Sequence, residues 1–491
     1  MYIMKNNFVF LSLLTVFALT VSGCSNAVEE YLSPSGSDGD LDDFVNINMF
    51  IAEATAQVYL WESETDWSKY NSRNALAEYT DHYKLFDEFI YKDDHWSELT
   101  DNISELMSQF EGVSTTFGYR LRFYKLASTG SIVAVVLYTY PGSPAEYAGL
   151  KRGDIIVEMN GGEITEDDYV DLYNAAYLAV RCGVWDAESR TVEPLPEVKN
   201  ITAVNMYENP VNTYKVIEKD GHKIGYLCYT GYQVESEKDL ERIFTDFKSE
   251  GVTDVVLDLR YNSGGHSRTA RFLSSILAPE SVVRSKSVFL EHHYNHRYTN
   301  YYNSIGEDLN ERFFDTLSIN MNLDRLYVLT SNNTASASEA TIVGLDPYFN
   351  VVRIGSTTSG KYCGGILLSP QELYGESSRD YYSGFSNWGM YIMIYRFANI
   401  DGLDSFAGGL MPDIFAEEDS FDLKPLGDED DPLLGRALAH IFGQNYVDRR
   451  SGKVSLPVVK MPDIKRPVYG LMISTLPSAL PIFSDSPQVS E

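Results

Sequence analysis

The feature that most constrains this chain is an alternation of short apolar runs and amphipathic helical patterns from residue 223 onward. The apolar runs are rich in β-branched and aromatic residues, as buried strands are. Each helical pattern places its apolar residues on one face. This order is typical of an α/β (βαβ) core in which helices cover a largely parallel sheet. The predicted strands are 224–229, 255–259, 326–330 and 350–354, and the predicted helices are 236–250, 267–277 and 337–345.

A serine, Ser336, stands in the polar turn between one predicted strand and the helix predicted over 337–345. Small residues mark the helix start, together with Glu339 in the first turn, where the helix dipole favours an acid. A side chain at such a junction lies beside backbone N–H groups that can stabilise an oxyanion. Taken alone, the pattern fits an ordinary Ser/Thr-rich turn better than a catalytic serine.

A nucleophilic serine also needs a base, because a hydroxyl is a poor nucleophile at its ordinary pKa. Lys361 follows the next predicted strand and a loop rich in Gly, Ser and Thr. A lysine acts as a base only when burial lowers its pKa, and the small and apolar neighbours of Lys361 allow that. Taken alone, Lys361 fits a surface lysine better.

A glycine-rich loop favours a catalytic site over an ordinary turn and a surface lysine. The predicted strand 255–259 ends in Asp-Leu-Arg-Tyr-Asn-Ser-Gly-Gly, residues 258–265. Its two consecutive glycines, Gly264 and Gly265, allow the backbone to turn tightly and to present N–H groups to a ligand. Ligands of parallel sheets bind at the carboxyl ends of the strands, and both this loop and Ser336 are predicted there.

Three motifs in this order, Asp-Leu-Arg-x-Asn-x-Gly-Gly, Thr-Ala-Ser-Ala-Ser-Glu and Gly-Lys, resemble those of the C-terminal processing peptidases (tail-specific proteases). Residues 86–96 resemble the stretch that precedes the PDZ domain in Bacteroidetes lipoprotein members of this family. The resemblance implies a crotonase-like peptidase core that uses no metal and no cofactor. It implies that Ser336 is the nucleophile and Lys361 the general base. It further implies an oxyanion hole made by the N–H groups of Gly264, beside Gly265, and of Ala337.

One departure from the family pattern concerns the general base. Bacterial members often carry a glutamine four residues after the lysine, which orients its amine, whereas this chain has Gly365 there. Either another group holds Lys361 or the chemistry is weak. The first hypothesis is a serine endopeptidase that acts on exported polypeptides near their C-termini. The alternatives are a peptide-binding lipoprotein on the same fold and a tricorn-like peptidase with His266 as its base.

The whole chain is predicted to be a multidomain α+β protein. Helical periodicity gives way to strand patterns at residue 113, and the run over 141–162 resembles a PDZ domain. Residues 167–180 are predicted as the longer PDZ helix, and the charged, proline-containing residues 186–199 as a loop. The predicted divisions are a signal peptide (1–23), a flexible linker (24–40), a helical N-terminal domain (41–112), the PDZ-like domain (113–208), the Ser-Lys peptidase domain (209–445) and a C-terminal extension (446–491).

The PDZ resemblance implies that extended C-termini of substrates add as a strand to a sheet edge, with the carboxylate held by backbone N–H groups. The loop expected to bind them contains Phe117, Gly118 and Tyr119, and it has one glycine where the usual form has two. A PDZ domain that only gates the protease is the alternative.

The N-terminus resembles a bacterial lipoprotein signal. Lys5 precedes the apolar run 8–21, which is short for a transmembrane span, and Cys24 follows small residues at the cleavage position. The chain is therefore predicted to be exported and anchored to the cell envelope through a lipid on Cys24, with an ordinary secretory signal as the alternative. The formal charge of −31 argues against nucleic acid or anionic lipid as a partner.

Two further patterns are predicted to carry no chemistry. His292 and His296 have a spacing that could seat zinc on a helix, but no third ligand is evident and the surroundings are aromatic. Apart from Cys24, the cysteines are Cys182, Cys228 and Cys363, an odd and widely spaced set that predicts no disulfide framework.

Overall fold

A computed structural model of the chain describes residues 38–186, 188–189, 191–446, 458–462, 464 and 472–474. The predicted signal peptide and the predicted lipidation site Cys24 lie outside these residues. Within them, no helix is both long enough and apolar enough to span a membrane. The described chain is a multidomain α+β protein, with a helical N-terminal module, a β-rich domain and an α/β core of two sheets.

The N-terminal module consists of one long helix and several short ones that pack on the core. Its first helix begins at Asp38, inside the segment predicted as a flexible linker. Ile103, Leu106 and Phe110 are the buried face of its last helix. A short strand of the module pairs with residues 389–391 of the core. The elements are α1 (Asp38–Val58), α2 (Arg73–Leu76), α3 (His82–Phe89), β1 (Glu98–Thr100) and α4 (Ile103–Phe110).

The β-rich domain contains one sheet in the order β21–β3–β4–β5–β7–β8, with β6 paired to β5. β21 (Val458–Lys460) comes from the C-terminal part of the chain. A separate ladder joins β2 to β9. The elements are β2 (Val113–Thr116), β3 (Tyr119–Leu126), β4 (Ile132–Thr139), α5 (Pro144–Tyr147), β5 (Ile155–Met159), β6 (Gly162–Glu163), α6 (Asp171–Asn174), β7 (Tyr177–Asp186), β8 (Thr191–Thr202) and β9 (Val204–Tyr207).

Two predictions for this domain were wrong. The helix predicted over 167–180 is reduced to the single turn α6, because residues from Tyr177 onward form β7 with side chains alternately buried and less buried. The loop predicted over 186–199 is largely strand β8, which pairs with β7 along its length. β8 lies at the edge of its sheet, where charged residues and prolines are tolerated.

The core follows the predicted alternation of strands and helices. Its first sheet has the order β10–β11–β12–β16–β17–β20 and is parallel from β11 to β20. The second sheet has the order β13–β22–β18–β19–β14–β15, and β1 joins it beside β19. The strands of the two sheets are β10 (Val211–Lys219), β11 (His222–Tyr229), β12 (Asp254–Asp258), β13 (Gly265–His266), β14 (Val288–Tyr294), β15 (Asn310–Arg312), β16 (Arg325–Thr330), β17 (Asn350–Gly355), β18 (Cys363–Leu368), β19 (Gly389–Ala398), β20 (Ile414–Phe415) and β22 (Met472–Ile473).

The helices of the core cover the first sheet and fill the space between the two sheets. Leu240, Ile243, Phe244 and Phe247 are buried on one face of α7, as the sequence predicts. Every residue of α11 is buried, which places the start of this helix deep inside the protein. The helices are α7 (Glu237–Glu250), α8 (Ser267–Leu277), α9 (Glu280–Arg284), α10 (His296–Ile305), α11 (Ala337–Leu345), α12 (Pro370–Tyr374), α13 (Arg379–Tyr382) and α14 (Pro432–Ile441).

Two short strands near the C-terminus join different sheets. β21 (Val458–Lys460) lies antiparallel to β3 in the β-rich domain. β22 (Met472–Ile473) lies between β13 and β18 in the core and is parallel to both. The part of the C-terminal extension that the structure describes therefore contacts both domains.

The histidine pair does not have the helical spacing on which zinc binding would depend. His292 belongs to β14, whereas His296 is the first residue of α10. Among the described residues, no group of three or more His, Cys, Asp or Glu side chains could hold a metal ion.

Candidate active site

Ser336 lies on a tight, buried turn between β16 and α11. Its backbone has φ 61° and ψ −114°, a conformation that non-glycine residues rarely adopt and that costs about 1–3 kcal/mol. The side chain is fully buried, and its Oγ makes no hydrogen bond within the described part of the chain. A buried, unpaired hydroxyl on a strained turn is unfavourable for stability, and such features concentrate at functional sites.

The carboxylate of Glu339 holds this turn against the loop that carries Lys361. It accepts hydrogen bonds from the backbone N–H of Ser336 at 2.8 Å and from that of Lys361 at 2.9 Å. It also accepts from the Gly360 N–H at 2.7 Å and from the Thr358 hydroxyl at 2.5 Å. Burial raises the pKa of Glu339 to about 7 despite these four donors. One side chain therefore sets the relative position of the serine and lysine loops.

Lys361 is completely buried, and its Nζ lies 3.3 Å from the hydroxyl of Tyr391. The amine also lies over two aromatic rings, 5.7 Å from the centroid of Trp96 and 5.2 Å from that of Tyr391. These contacts favour the charged ammonium. Desolvation is the larger effect, and it lowers the pKa of Lys361 to about 7. A substantial fraction of the side chain is therefore a neutral amine at neutral pH.

Tyr391 holds the amine in place of the missing glutamine. Its hydroxyl donates to the carbonyl of Met472 at 2.6 Å and accepts from the Met472 N–H at 3.0 Å and from Lys361. One donor and two acceptor sites are thus all used. A side chain at Gly365 would clash, since an added Cβ would lie 2.6 Å from the carbonyl oxygen of Ile392 and 2.8 Å from the Tyr391 ring. Glycine at 365 is therefore the residue that leaves room for this tyrosine.

The glycine-rich loop is joined to the serine turn through Asn262. The Asn262 carbonyl accepts from the Ala335 N–H at 3.1 Å and from the Ser338 hydroxyl at 3.0 Å. The Asn262 side chain accepts from the Gly264 N–H at 2.9 Å. The structure thus brings Gly264 to the serine turn, but with its N–H already paired. Ala337 is the first residue of α11, where an N–H has no partner within its own helix.

Gly265 is a close contact point between this loop and Tyr232, which follows β11 in the chain. It has φ 135°, and an added Cβ would lie 2.5 Å from the Tyr232 carbonyl oxygen. At the base of the loop, the guanidinium of Arg260 is buried among three carboxylates, at 2.8 Å from Asp258, 2.8 Å from Asp431 and 2.9 Å from Glu418. The buried guanidinium is thereby paired with all three carboxylates, and these contacts tie the loop to Glu418 and Asp431.

The residues predicted to bind substrate in the β-rich domain are not open to solvent. The side chains of Phe117 and Tyr119 belong to the core of that domain. Gly118 has φ 78°, and its N–H donates to the Thr116 hydroxyl at 3.0 Å. Its carbonyl accepts from the Tyr140 N–H at 2.9 Å. The Gly118 N–H is therefore not open to a carboxylate in this structure.

Two other side chains near the site were considered from the sequence. Cys363 is fully buried, and burial raises the pKa of its thiol to about 12, so it is protonated and unreactive at neutral pH. His266 lies beside Phe110, with ring centroids 6.4 Å apart, and burial lowers its pKa. Sequence reasoning missed Tyr391 and the role of Glu339. A Ser-x-x-Glu spacing at a helix start could have indicated Glu339, whereas no local pattern marks Tyr391.

Comparison with known proteins agrees with this architecture. Residues 223–415 match the family model for peptidase family S41, and residues 135–175 match that for a PDZ domain. A crystal structure catalogued as a candidate S41 protease from Bacteroides fragilis has 26% sequence identity and a TM-score of 0.65, and the match covers 80% of this chain and 97% of that one.

Among curated proteins, this chain is 24% identical over 314 residues to the carboxyl-terminal-processing protease of a Picosynechococcus species, which covers 62% of this chain and 66% of that protein. It is also 24% identical over 261 residues to the carboxy-terminal processing protease CtpB of Bacillus subtilis, which covers 52% and 48% respectively. The matched region therefore spans between about half and two thirds of the length of these relatives.

Proposed function

We propose, from the premise that this chain carries a peptidase family S41 domain and a PDZ domain, that it is a serine endopeptidase. The observation that carries the proposal is the link made by Glu339. This carboxylate binds the backbone of Ser336 and of Lys361 together, next to a buried Oγ that has no hydrogen-bond partner among the described residues. A buried hydroxyl and a buried amine on two joined loops are the groups that acyl transfer by a Ser-Lys pair requires.

In the proposed mechanism, the Ser336 Oγ attacks the scissile carbonyl and the neutral amine of Lys361 accepts its proton. The resulting ammonium returns the proton to the leaving amine, and an acyl-enzyme remains for water to hydrolyse. Lys361 is hydrogen-bonded to Tyr391 rather than to Ser336 in this structure. Catalytic hydrogen bonds are often formed only in the substrate complex, so we propose that bound substrate draws the amine toward the serine.

The tetrahedral intermediate carries an oxyanion that needs backbone donors. We assign the Ala337 N–H and the Gly264 N–H to this role, each worth roughly 10²–10³ in kcat. The Gly264 N–H currently donates to the Asn262 side chain, so it must be shared with, or released to, the substrate. Gly265 supports this loop through its close contact with Tyr232.

We propose that the substrates are exported polypeptides cleaved near their C-termini. The names of the two curated relatives describe C-terminal processing, and the PDZ domain is a module that binds extended chains. We also propose that the protein is exported and anchored to the cell envelope through a lipid on Cys24. Incorporation of labelled fatty acid into the protein, lost in Cys24→Ala, would test the anchor.

Cleavage of an unfolded protein such as casein tests the peptidase proposal. The chain without its predicted signal peptide is compared with Ser336→Ala and Lys361→Ala, and with Ser249→Ala and Lys238→Ala as matched variants at exposed positions. We expect cleavage that both site variants abolish and both exposed variants retain. Cleavage that survives Ser336→Ala would refute the mechanism.

A second candidate function, peptide binding without hydrolysis, is favoured by one observation. The Gly264 N–H and the Lys361 amine both have other partners in this structure. This candidate would be supported if no parent or variant protein cleaved casein while labelled peptides still bound the Ser336→Ala protein.

A further inference from the structure

We propose that the described C-terminal segment of this chain, residues 458–462, 464 and 472–474, is an internal ligand of the chain itself. It occupies the peptide-binding edge of the PDZ domain at one end and the active-site cleft at the other, and so keeps the resting protein inhibited. The docking of the segment rests on its contacts alone. Its inhibitory effect rests on the proposed peptidase function.

At the PDZ end, the segment adds a strand to the sheet. β21 lies antiparallel to β3, with Val458 opposite Leu126 and Lys460 opposite Tyr124. The ladder continues where the Met461 N–H donates to the Phe123 carbonyl at 3.0 Å. Without β21, β3 would be an edge strand with unpaired backbone groups. Addition of a strand to such an edge is how PDZ domains bind extended peptides.

The segment also fills an apolar groove beside that edge. The side chains of Met461 and Ile464 pack against the core of the domain, together with Tyr173. Because the pairing is antiparallel, the segment runs from the far end of β3 toward the loop at residues 116–119. Two apolar side chains and a continued ladder are the contacts of a bound peptide, not of a loose tail.

The groove is suited to an internal stretch of chain rather than to a free C-terminus. Near the loop, the Leu121 N–H donates to the Tyr173 hydroxyl at 2.7 Å and the Gly118 N–H donates to Thr116 at 3.0 Å. These two backbone donors are therefore already paired and are not open to a terminal carboxylate. A segment that continues past Ile464 has no carboxylate to satisfy at this point.

A cavity leads from the PDZ edge to the catalytic loop. It has a volume of about 320 Å³, and Ile464 forms part of its wall. Arg120 and Tyr173 line it from the PDZ domain, and Gly264 and Gly265 line it from the core. The PDZ-bound part of the segment therefore ends at the entrance to the proposed active site.

At the active-site end, β22 lies between the glycine-rich loop and the strand that follows Lys361. Met472 pairs with Gly265, and Ile473 pairs with both His266 and Gly365. The Met472 side chain is fully buried. Its backbone N–H and carbonyl are both hydrogen-bonded to the Tyr391 hydroxyl that holds Lys361. The segment thus occupies space beside the groups assigned to catalysis.

The segment then reaches a second cavity. The Ser474 N–H donates to the Gly365 carbonyl at 2.9 Å, and Ser474 lines a cavity of about 450 Å³. Described parts of one segment therefore lie at the PDZ edge, beside the catalytic loops and in the wall of this second cavity. This is the path along which a polypeptide substrate would have to pass, and a substrate must displace the segment to take it.

The test uses the full chain without its predicted signal peptide and removes single backbone donors. Met461→Pro deletes the N–H that bonds to Phe123, and Met472→Pro deletes the N–H that bonds to Tyr391. Met461→Leu and Met472→Leu are the matched controls, because they keep the N–H and most of the apolar contact. Circular dichroism and thermal unfolding establish that each variant is folded.

The first readout is peptide binding in a Ser336→Ala background, which needs no catalysis. The probe is a fluorescein-labelled peptide with the sequence of residues 455–464, followed by fluorescence polarisation. A tethered segment acts at an effective concentration of about 1 mM, so we expect the Met461→Pro protein to bind the probe roughly tenfold more tightly than the parent. Equal affinity in parent and Met461→Pro would overturn the docking.

The second readout is casein cleavage with Ser336 intact. We expect both proline variants to cleave several-fold faster than the parent and both leucine variants to match it. Equal rates in all active proteins would overturn the inhibition. If no protein cleaved casein but the binding difference were present, the docking would stand and the peptidase proposal would fall.

Hydrogen exchange of the parent decides the proposal if a proline variant does not fold. The amides of Met461 and Met472 are each hydrogen-bonded in the docked segment. We expect them to exchange at least about a hundredfold more slowly than in an unstructured peptide. Exchange at the unstructured rate would overturn the proposal.

Discussion

The Nζ of Lys361 and the hydroxyl of Tyr391 are 3.3 Å apart and form a hydrogen bond, although the two residues lie on different strands or loops. Tyr391 belongs to β19, whereas Lys361 lies just before β18. The same hydroxyl is bonded to the backbone of Met472. One tyrosine therefore connects the proposed base with the C-terminal segment in the cleft.

Replacement of this tyrosine by phenylalanine tests its positioning role. Tyr391→Phe keeps the ring but removes the acceptor for the Lys361 amine, so the amine is less well placed. Misplacement of a catalytic group by about 1 Å can lower the rate roughly a hundredfold. We expect kcat on a peptide substrate to fall about 10–100-fold with little change in KM.

If Tyr391 had only a structural role, its replacement would leave the pH dependence of kcat unchanged. The hydroxyl accepts a stronger hydrogen bond from the ammonium than from the amine, so its removal lowers the pKa of Lys361 further. The acidic limb of kcat should therefore shift to lower pH in Tyr391→Phe. An unshifted limb with unchanged kcat would contradict the assignment.

The pH dependence of the parent enzyme follows from the burial of Lys361. Desolvation lowers its pKa to about 7, against opposing effects from Cys363, Asp94 and Glu339. Only the unprotonated amine can act as a base, so kcat should rise about tenfold per pH unit below 7 and level off above about pH 8. A series of initial rates between pH 5.5 and 9 measures this. A rate that falls with pH over that range would exclude the neutral lysine as the base.

Glu339 also titrates near neutral pH, with a pKa raised to about 7. The rise of kcat with pH that is caused by Lys361 should persist in a variant in which Glu339 cannot titrate. Glu339→Gln is such a variant, and its pH profile separates the contributions of the two groups.

Burial of Lys361 should also make the protein less stable than a variant without the charge. The pKa of Lys361 in the native protein is lowered to about 7 from 10.5, so the destabilisation of the folded protein by the buried ammonium is fully present below pH 7. It is relieved as pH rises from 7 toward 10.5, where the unfolded chain binds more protons than the native protein. We expect Lys361→Met to raise the free energy of unfolding by about 2–4 kcal/mol at pH 6 and by little at pH 10.

Urea unfolding at both pH values measures this difference. Lys238→Met at an exposed position is the matched control and should change stability by less than about 0.5 kcal/mol. A Lys361→Met protein that is less stable than the parent at pH 6 would show that the buried amine is stabilised by its surroundings.

Two helix-start carboxylates, Glu339 and Glu372, offer a matched comparison. Glu339 accepts the Ser336, Gly360 and Lys361 N–H groups at the site, and Glu372 accepts the Ser369 N–H at the start of α12. Glu339→Gln places an amide group where a carboxylate oxygen meets N–H donors, which leaves a buried donor unsatisfied. We expect a loss of about 1–3 kcal/mol in stability and a large fall in kcat.

Glu372→Gln should lower stability by about 1 kcal/mol or less and leave the rate unchanged. Thermal unfolding and peptide hydrolysis of both variants make the comparison. Equal effects of the two substitutions on kcat would contradict the proposed link between the serine and lysine loops.

Much of the core architecture could be predicted from local patterns. The helix predicted over 337–345 is α11 with the same bounds, and the strands predicted near residues 255 and 326 are β12 and β16. In these elements the apolar residues either recur at the spacing of one helix face or form a continuous run, as in a fully buried strand. Both patterns can be recognised from residues that are close together in the chain. The failures at 167–180 and 186–199 come from β7 and β8, whose strand state depends on pairing with each other and not on composition.

The sequence by itself determined the α/β order of the core, the place of Ser336 at a strand-to-helix junction and the proximity of the glycine-rich loop to it. Periodicity and turn chemistry act over a few residues, so one sequence is enough to show them. Only the tertiary structure decided that Tyr391 holds Lys361, that the Asn262 carbonyl accepts from the Ala335 N–H, and that Met461 and Met472 dock in two separate domains. Those contacts join residues far apart in the chain, and no local pattern specifies which distant backbone group a buried donor will reach once the sheets have packed.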